Sequence, residues 1–368
     1  VTQDRQATST RDREQLVARF EAWLRAITGD AAATALERQR SLDSGFSSDT
    51  TLLEISWRAD GTEHRRETVL RLPPTADAWP VFPSYDLGRQ VAAMRAVAAA
   101  GTVPVPEVLW HEPDPSHLGT EFVVMERVDG VAAPDVMPYT WDSWVTQLSA
   151  AERRQLGDAS IDLLAAIHAV PVDAELVEAL TLHQHGGSPL RRHFSNELAY
   201  YEWAREDRRF PTIERGFDTL AARWPSPEPG PRLAWGDARL GNILFDGTTP
   251  TAVLDWEMAG LLPPAVDLGW SVFFHEHFQR SAQRQGLPGI PDLLPADAAL
   301  ARYERAGGTT IEDFEWYLCY AAVREAIISI RTMGRAVHLA QVSAPDDPEG
   351  LILGREYVVE LTDALART

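Results

Sequence analysis

A chain of 368 residues with 45% hydrophobic and 24% charged side chains has the composition of a globular protein, long enough for one large or two ordinary domains with a real core. Its net charge of −20 argues against nucleic acid as a partner, because phosphate binding needs a basic face. No lysine occurs, and all 34 positions counted as Lys+Arg are arginines, which excludes a Gly-Lys-Ser/Thr phosphate loop and Schiff-base catalysis by lysine.

The N-terminal segment is polar and charged (VTQDRQATSTRDREQ) and does not read as a signal peptide. No run approaches the roughly eighteen apolar residues of a membrane span, so no membrane partner is expected. Cys319 is the single cysteine, which excludes an internal disulfide and fits a reducing, cytoplasmic setting. Residues 12–27 place Leu16, Phe20, Trp23, Leu24 and Ile27 at helical spacing. Gly45-Phe46-Ser47-Ser48 reads as a turn of small residues before a strand at 52–57. Asp60-Gly61 turns that strand into another at 68–72, which Pro73-Pro74 ends. A helix over 85–100 stops at Gly101. Strands follow at 103–110 and 121–126, the second breaking into charged residues and Gly130.

From Val131 the character is helical. Ser149 and Glu152 form a capping box opening a helix through His168. An aromatic-rich helix covers 191–205, and further helices cover 297–305, 311–333 and 350–367. His168, just before a proline, reads as a hydrogen-bonded structural histidine. His275-Glu276-His277 has the residues of a metal cluster but the wrong spacing, since residues two apart do not share a helix face.

The chemistry concentrates at 233–269, LAWGDARLGNILFDGTTPTAVLDWEMAGLLPPAVDLG. Apolar runs at 242–245 and 251–254 flank Asp246-Gly247, a hairpin signal with a loop expected to be a few residues longer than the tightest kind. A hairpin returns the chain to its start, so Asn242 comes close to Asp255. Asp237 lies five residues before Asn242, in a loop that its polarity and glycines place outside the core. A carboxylate beside an amide carbonyl suits Mg²⁺, which takes hard oxygens and shares its shell with phosphates. A second carboxylate can take the proton of an attacking hydroxyl. Those are the parts of phosphoryl transfer.

Asp237-x-x-x-x-Asn242 followed by Asp255 is similar to the catalytic-loop and metal-loop spacing of protein kinases. The surrounding GDARLGN, VLDWE and Asp267-Leu-Gly resemble the aminoglycoside phosphotransferase family of small-molecule kinases, which includes choline kinases. The branch it most resembles is the kinase-like domain fused to some acyl-CoA dehydrogenases, whose leading helix is similar to residues 12–27. The resemblance implies an α+β, bilobal protein-kinase-like fold, with a small antiparallel β-sheet N-lobe and a larger, mainly helical C-lobe. The boundaries it implies are a helical extension over 1–30, the N-lobe over 31–125, a hinge at 126–130 and the C-lobe over 131–368. It implies ATP and Mg²⁺ as cofactors and a small-molecule hydroxyl substrate. An aminoglycoside-type acceptor, with antibiotic resistance as the role, fits the acidic charge. A hydroxyacyl or other metabolite, or a non-catalytic pseudokinase-like nucleotide-binding role, are the alternatives. It carries no oligomeric state.

By the same resemblance Asp237 is the base and Arg239 stabilises the transferring phosphoryl group. Asn242 and Asp255 hold Mg²⁺, and Glu257 assists through a metal-bound water. Ser47 and Ser48 belong to the turn over the ATP phosphates. Arg71 stands in place of the family's phosphate-pairing lysine. Gln90 stands where a glutamate usually pairs with that lysine. The Glu126 carbonyl and the Val128 amide hold the adenine, and Asp267 braces the catalytic region. Trp235 replaces a histidine usually found before Gly-Asp, a change in packing.

Overall fold

The computed structural model describes residues 10–39 and 48–368, so that Ser47 and the start of its turn lie outside the described residues. The chain divides into two compact units, one of residues 1–91 with 106–128 and the other of 92–105 with 129–368.

The first unit opens with α1 (Arg13–Thr28). Asp12 caps it by accepting from the Gln15 amide at 3.1 Å, and Gly29 ends it in the left-handed region. The apolar stripe read from the sequence is the face α1 buries, except for Ile27 in its last turn, which is exposed. Leu16, Phe20, Trp23 and Leu24 share one core with Leu53, Ile55, Leu70, Phe122 and Val124 of the sheet. Trp23 meets Phe122 edge-on at 4.7 Å and donates its indole N–H to Glu112 at 3.0 Å, so the ring is buried without losing its polar partner.

The sheet comprises β1 (Thr34–Gln39), β2 (Asp49–Ala59), β3 (Thr62–Leu72), β4 (Val108–Glu112) and β5 (Phe122–Glu126), in the order β1-β2-β3-β5-β4. Every pairing is antiparallel. Asp60 and Gly61 both have positive φ, 52° and 76°, and join β2 to β3 as a tight two-residue turn. The predicted helix after β3 is α2 (Leu87–Ala100).

In the second unit β6 (Val131–Ala132) precedes α3 (Ala150–His168), which carries the expected capping box of Ser149 and Glu152. There follow α4 (Ala174–Leu180), α5 (Pro189–Ala204) and α6 (Pro211–Ala222), then β7 (Arg232–Ala234), β8 (Ile243–Asp246), β9 (Thr249–Val253) and β10 (Gly260–Leu262). The unit ends with α7 (Ala265–Arg284), α8 (Ala296–Arg305), α9 (Phe314–His338) and α10 (Arg355–Arg367). β6, β8 and β9 form one small sheet, and β7 pairs with β10. The β8–β9 hairpin is tighter than the sequence suggested. Asp246 pairs with Thr249, and the extra length is taken up by a bulge at Thr251, between the pairs Leu244–Ala252 and Phe245–Pro250. Among the described residues no helix is long and apolar enough to cross a membrane.

Helix α9 is the buried axis of this unit. Cys319 lies in it fully buried, with its thiol pushed up to about 11 by burial. Glu325 is also buried there. Its Oε2 has no hydrogen-bond partner, and burial pushes the carboxyl up to about 8. The folded chain therefore keeps a proton that the unfolded chain releases above the ordinary value of 4.5, and stability falls as pH rises from there to about 8. Glu325→Gln is expected to raise the melting temperature by a few degrees at pH 7.5 and to leave it unchanged near pH 4.5. Thermal unfolding of both proteins across that range checks it; a gain equal at both ends would assign the effect to packing.

Candidate active site

The site begins where β7 ends. The backbone amides of Trp235 and Gly236 donate to the Asp267 carboxylate, to Oδ2 at 2.7 Å and Oδ1 at 2.8 Å. His168 Nε2 lies 3.0 Å from the same Oδ2, and its Nδ1 lies 2.8 Å from the Tyr303 hydroxyl. A carboxylate only accepts, so Nε2 is the protonated nitrogen. Asp267 is thus the brace of the loop, and His168 is hydrogen-bonded on both ring nitrogens. Gly236 has φ of +90°, and a Cβ there would lie 2.0 Å from the Met258 carbonyl oxygen. Only glycine lets the chain turn at that point against its neighbour.

The turn delivers Asp237 into the protein. Its carboxylate is buried, contrary to the expectation from the loop's polarity. The polar side chains there bond to one another, so they satisfy themselves inside the fold and do not face water. Trp270 Nε1 donates to Oδ1 at 2.7 Å, and Arg239 Nε donates to the same oxygen at 2.9 Å. Asn242 Nδ2 donates to Oδ2 at 2.6 Å and to the Asp237 carbonyl at 3.1 Å. The Arg239 amide donates to the Asp237 carbonyl and the Asn242 amide to the Arg239 carbonyl, winding the loop into a single short turn. Burial is the main force on Asp237 and pushes its carboxyl up to about 7. The Trp270 hydrogen bond opposes it, the charges of Asp255 and Glu257 add to it, and the Asn242 hydrogen bond opposes it.

The hairpin then brings Asp255 back as expected. The Leu254 amide donates to the Asn242 carbonyl at 2.8 Å, next to the pairing of Ile243 with Val253. Asp255 itself is left-handed, with φ of 52°, where the strand breaks into the turn at 256–258. Trp235 spans the same junction, its indole donating to the Leu254 carbonyl at 2.8 Å. Arg239 also pairs with Asp135, and burial pulls its guanidinium down while Asp255 and Glu257 hold it up.

Two residues here were not legible beforehand. Trp270 touches Asp237 directly, and it lies three residues after Asp267 on α7, on the same helix face. That spacing was the available signal. Asp135 falls in an irregular stretch with no pattern of its own. Its carboxylate packs against Gly241, where a Cβ would lie 2.4 Å from Oδ2.

The other predicted positions belong to the first unit. Arg71 is buried on β3, between Thr50 of β2 and Val123 of β5 in register, and is not an exposed strand arginine. Gln90 is buried on α2, and Ser48 is buried just before β2. Glu126 ends β5, its amide donating to the Glu107 carbonyl at 2.9 Å, and Val128 follows in irregular backbone. Among the described residues no group of three or more His, Cys, Asp and Glu is arranged to hold a metal, His275-Glu276-His277 included. His275 instead bonds Tyr139 at 3.0 Å.

Residues 38–317 match the family described as the phosphotransferase enzyme family. The chain belongs to this family. That family is one of phosphotransferase enzymes, the reaction class that the resemblance implied. Among curated proteins it is similar to human acyl-CoA dehydrogenase family member 11, at 29% identity over 238 residues, 61% of this chain and 28% of that protein. It is also similar to mouse acyl-CoA dehydrogenase family member 10, at 28% over 254 residues, 68% of this chain and 22% of that protein. The chain thus spans about a quarter of the length of the curated relatives it matches. Among solved structures, a Ralstonia eutropha protein proposed to be an aminoglycoside phosphotransferase superposes with a TM-score of 0.64 at 22% identity, covering 95% of this chain and 98% of that one. Aminoglycoside 2'-phosphotransferase-IIIa, solved with GDP, does so with 0.53 at 15%, covering 95% and 98%. These likenesses establish the fold, α+β and protein-kinase-like. These curated relatives are named as acyl-CoA dehydrogenase family members, the branch whose leading helix residues 12–27 are read as resembling.

Proposed function

We propose that the chain transfers the γ-phosphoryl group of ATP to a hydroxyl of a small molecule, with Mg²⁺ as the cofactor. The observation that carries this reading is Asp237, a buried carboxyl near pH 7 held by three donors. A general base works best when its pKa lies near the operating pH. Oδ1 already accepts from two donors and Oδ2 from one, so Oδ2 has the lone pair left for the acceptor's proton.

The residues fit a hard cation. The Asn242 amide nitrogen is committed to Asp237, which leaves its carbonyl oxygen to act as a ligand. Asp255 and Glu257 add negative charge that acts on both Asp237 and Arg239. Asn242 and Asp255 would hold Mg²⁺, with Glu257 assisting through a bound water. Bound there, the ion would neutralise charge on the phosphates during transfer. Arg239, engaged by Asp237 and Asp135, would stabilise the transferring phosphoryl group. By the resemblance, Ser47 and Ser48 would belong to the turn over the phosphates, Arg71 would pair with the phosphates with Gln90 as its own partner, and the Glu126 carbonyl and Val128 amide would hold the adenine. Arg71 suits that task because a guanidinium stays charged and pairs bidentately with phosphate oxygens.

For the acceptor, an aminoglycoside-type cation is supported by the net charge of −20. A hydroxyacyl metabolite is supported by the two relatives, which are named as acyl-CoA dehydrogenase family members. The relatives carry more weight, because acidic charge also serves solubility alone. The test is ADP release with Mg-ATP against hydroxyacyl thioesters, free hydroxy acids, kanamycin-type aminoglycosides and choline-like alcohols, with GTP as a second donor. Acceptor-dependent release that EDTA abolishes and Mg²⁺ restores is the expected result. Asp255→Asn is expected to raise the Mg²⁺ needed for half-maximal rate by about 10-fold or more. Nucleotide binding that ignores Mg²⁺, with no turnover on any acceptor, would replace this reading with a non-catalytic, nucleotide-binding one.

A further inference from the structure

The geometry points to Arg324 on α9 as a positioning residue that orients the Trp270 indole toward Asp237. The inference rests on reading Asp237 as the base.

Arg324 is fully buried. Its guanidinium carbon lies 4.4 Å from the Trp270 ring centre and 5.7 Å from that of Tyr320. Nη2 reaches the Gly236 carbonyl at 3.5 Å, and Nε lies 4.0 Å from Glu197 Oε2 on α5. Nε and Nη1 have no hydrogen-bond partner. The helix is brought in at Gly269, where a Cβ would lie 2.8 Å from the Tyr317 carbonyl oxygen.

Packing alone does not explain such a residue. A methionine or leucine would fill the volume without burying a cation whose donors are incompletely matched. What the guanidinium does contribute is a flat positive surface against an indole face, an attraction that strengthens when both groups are dry. Trp270 has a single N–H, so fixing the plane of its ring fixes the direction in which it donates. That direction is the 2.7 Å bond to Asp237 Oδ1. The same guanidinium touches the carbonyl of Gly236, the residue that precedes Asp237. At 3.5 Å that backbone contact is at the outer limit of a hydrogen bond, so the support Arg324 gives the base passes through the indole. Glu197 lies beside the guanidinium; burial pushes its carboxyl up and Arg324 pulls it down. It also faces His193, whose Nδ1 bonds the Tyr320 hydroxyl at 2.7 Å.

The test is the full chain labelled with 5-fluorotryptophan, the Trp270 resonance being assigned by its loss in Trp270→Phe. In Arg324→Met that resonance is expected to shift and broaden, and in Arg324→Lys to change less. Turnover is expected to fall about 10–100-fold in both Trp270→Phe and Arg324→Met, with the KM for nucleotide within about twofold. The double variant is expected to be no slower than Trp270→Phe alone, because the effect of Arg324 passes through the indole. An unmoved Trp270 resonance in Arg324→Met, or losses that multiply in the double variant, overturns the inference. Should Arg324→Met fail to fold, the Arg324→Lys spectrum decides in its place: a Trp270 resonance identical to the wild type counts against the inference. The spectra need no turnover, so a chain that phosphorylates no acceptor would refute the proposed function and leave this test intact.

Discussion

Asp237→Asn is expected to lower turnover by about 10²–10⁴-fold, the usual scale for losing a general base. The substitution keeps the volume and an oxygen at Oδ1, where Trp270 and Arg239 donate. At Oδ2 it removes the lone pair that would take the acceptor's proton and sets an amide donor against Asn242 Nδ2, whose bond there is lost. Nucleotide affinity is expected to stay within about threefold, because the groups assigned to the nucleotide are untouched. A pH profile separates this from a general loss of structure. Burial holds the carboxyl at about 7, so only roughly a tenth of it is ionised at pH 6. The wild-type kcat/KM, which reports the free protein, should climb about tenfold per pH unit below that point and level off above it. In the variant this acid limb should disappear. Steady-state rates from pH 5 to 9 with nucleotide titrations on both proteins check it, and near-normal turnover in Asp237→Asn would sink the assignment.

How far the sequence could be read depended on whether a feature was local. The stripe of Leu16, Phe20, Trp23 and Leu24, the Ser149–Glu152 box and the Asp60-Gly61 turn each encode their element within a few residues. The hairpin signal at Asp246-Gly247 was equally local, and only its tightness escaped, because a bulge absorbed the extra residues. The spacing of Asp237, Asn242 and Asp255 implied their meeting, which the Leu254-to-Asn242 bond now accounts for. Features set by distant contacts were not legible. β6, β7 and β10 are two or three residues long and exist only through partners far along the chain. The partners of buried Asp237 include Trp270, 33 residues away, and the Gly236 amide is held by Asp267, 31 residues away. Nothing in a run of polar residues says whether their partners are water or one another.

Asp267→Ala is expected to be the most destabilising substitution in the site, by about 3–5 kcal/mol, because it breaks a buried, fully hydrogen-bonded charge. Asp267 is fully buried, and three donors converge on it: two backbone amides and His168 Nε2. Alanine supplies no acceptor, and each buried donor left alone costs about 1–3 kcal/mol. Set against a total stability of about 5–15 kcal/mol, that loss should lower the melting temperature by roughly 5–15 °C. Asp267→Asn should lose less. Its oxygen can take the Oδ2 place and serve Trp235 and His168, while its amino group meets only the Gly236 amide as a misplaced donor. His168→Ala, which removes one donor and leaves the carboxylate its two backbone bonds, should fall below both. Urea unfolding of the three variants checks the order, with the midpoint rather than the slope moving. The order matters because packing would predict a different one. If Asp267 served only to fill space, asparagine would be neutral, and the loss of the larger imidazole at His168 would cost most. A loss concentrated in Asp267→Ala would instead place the stability of the loop in one carboxylate, which fixes the two backbone amides immediately before Asp237.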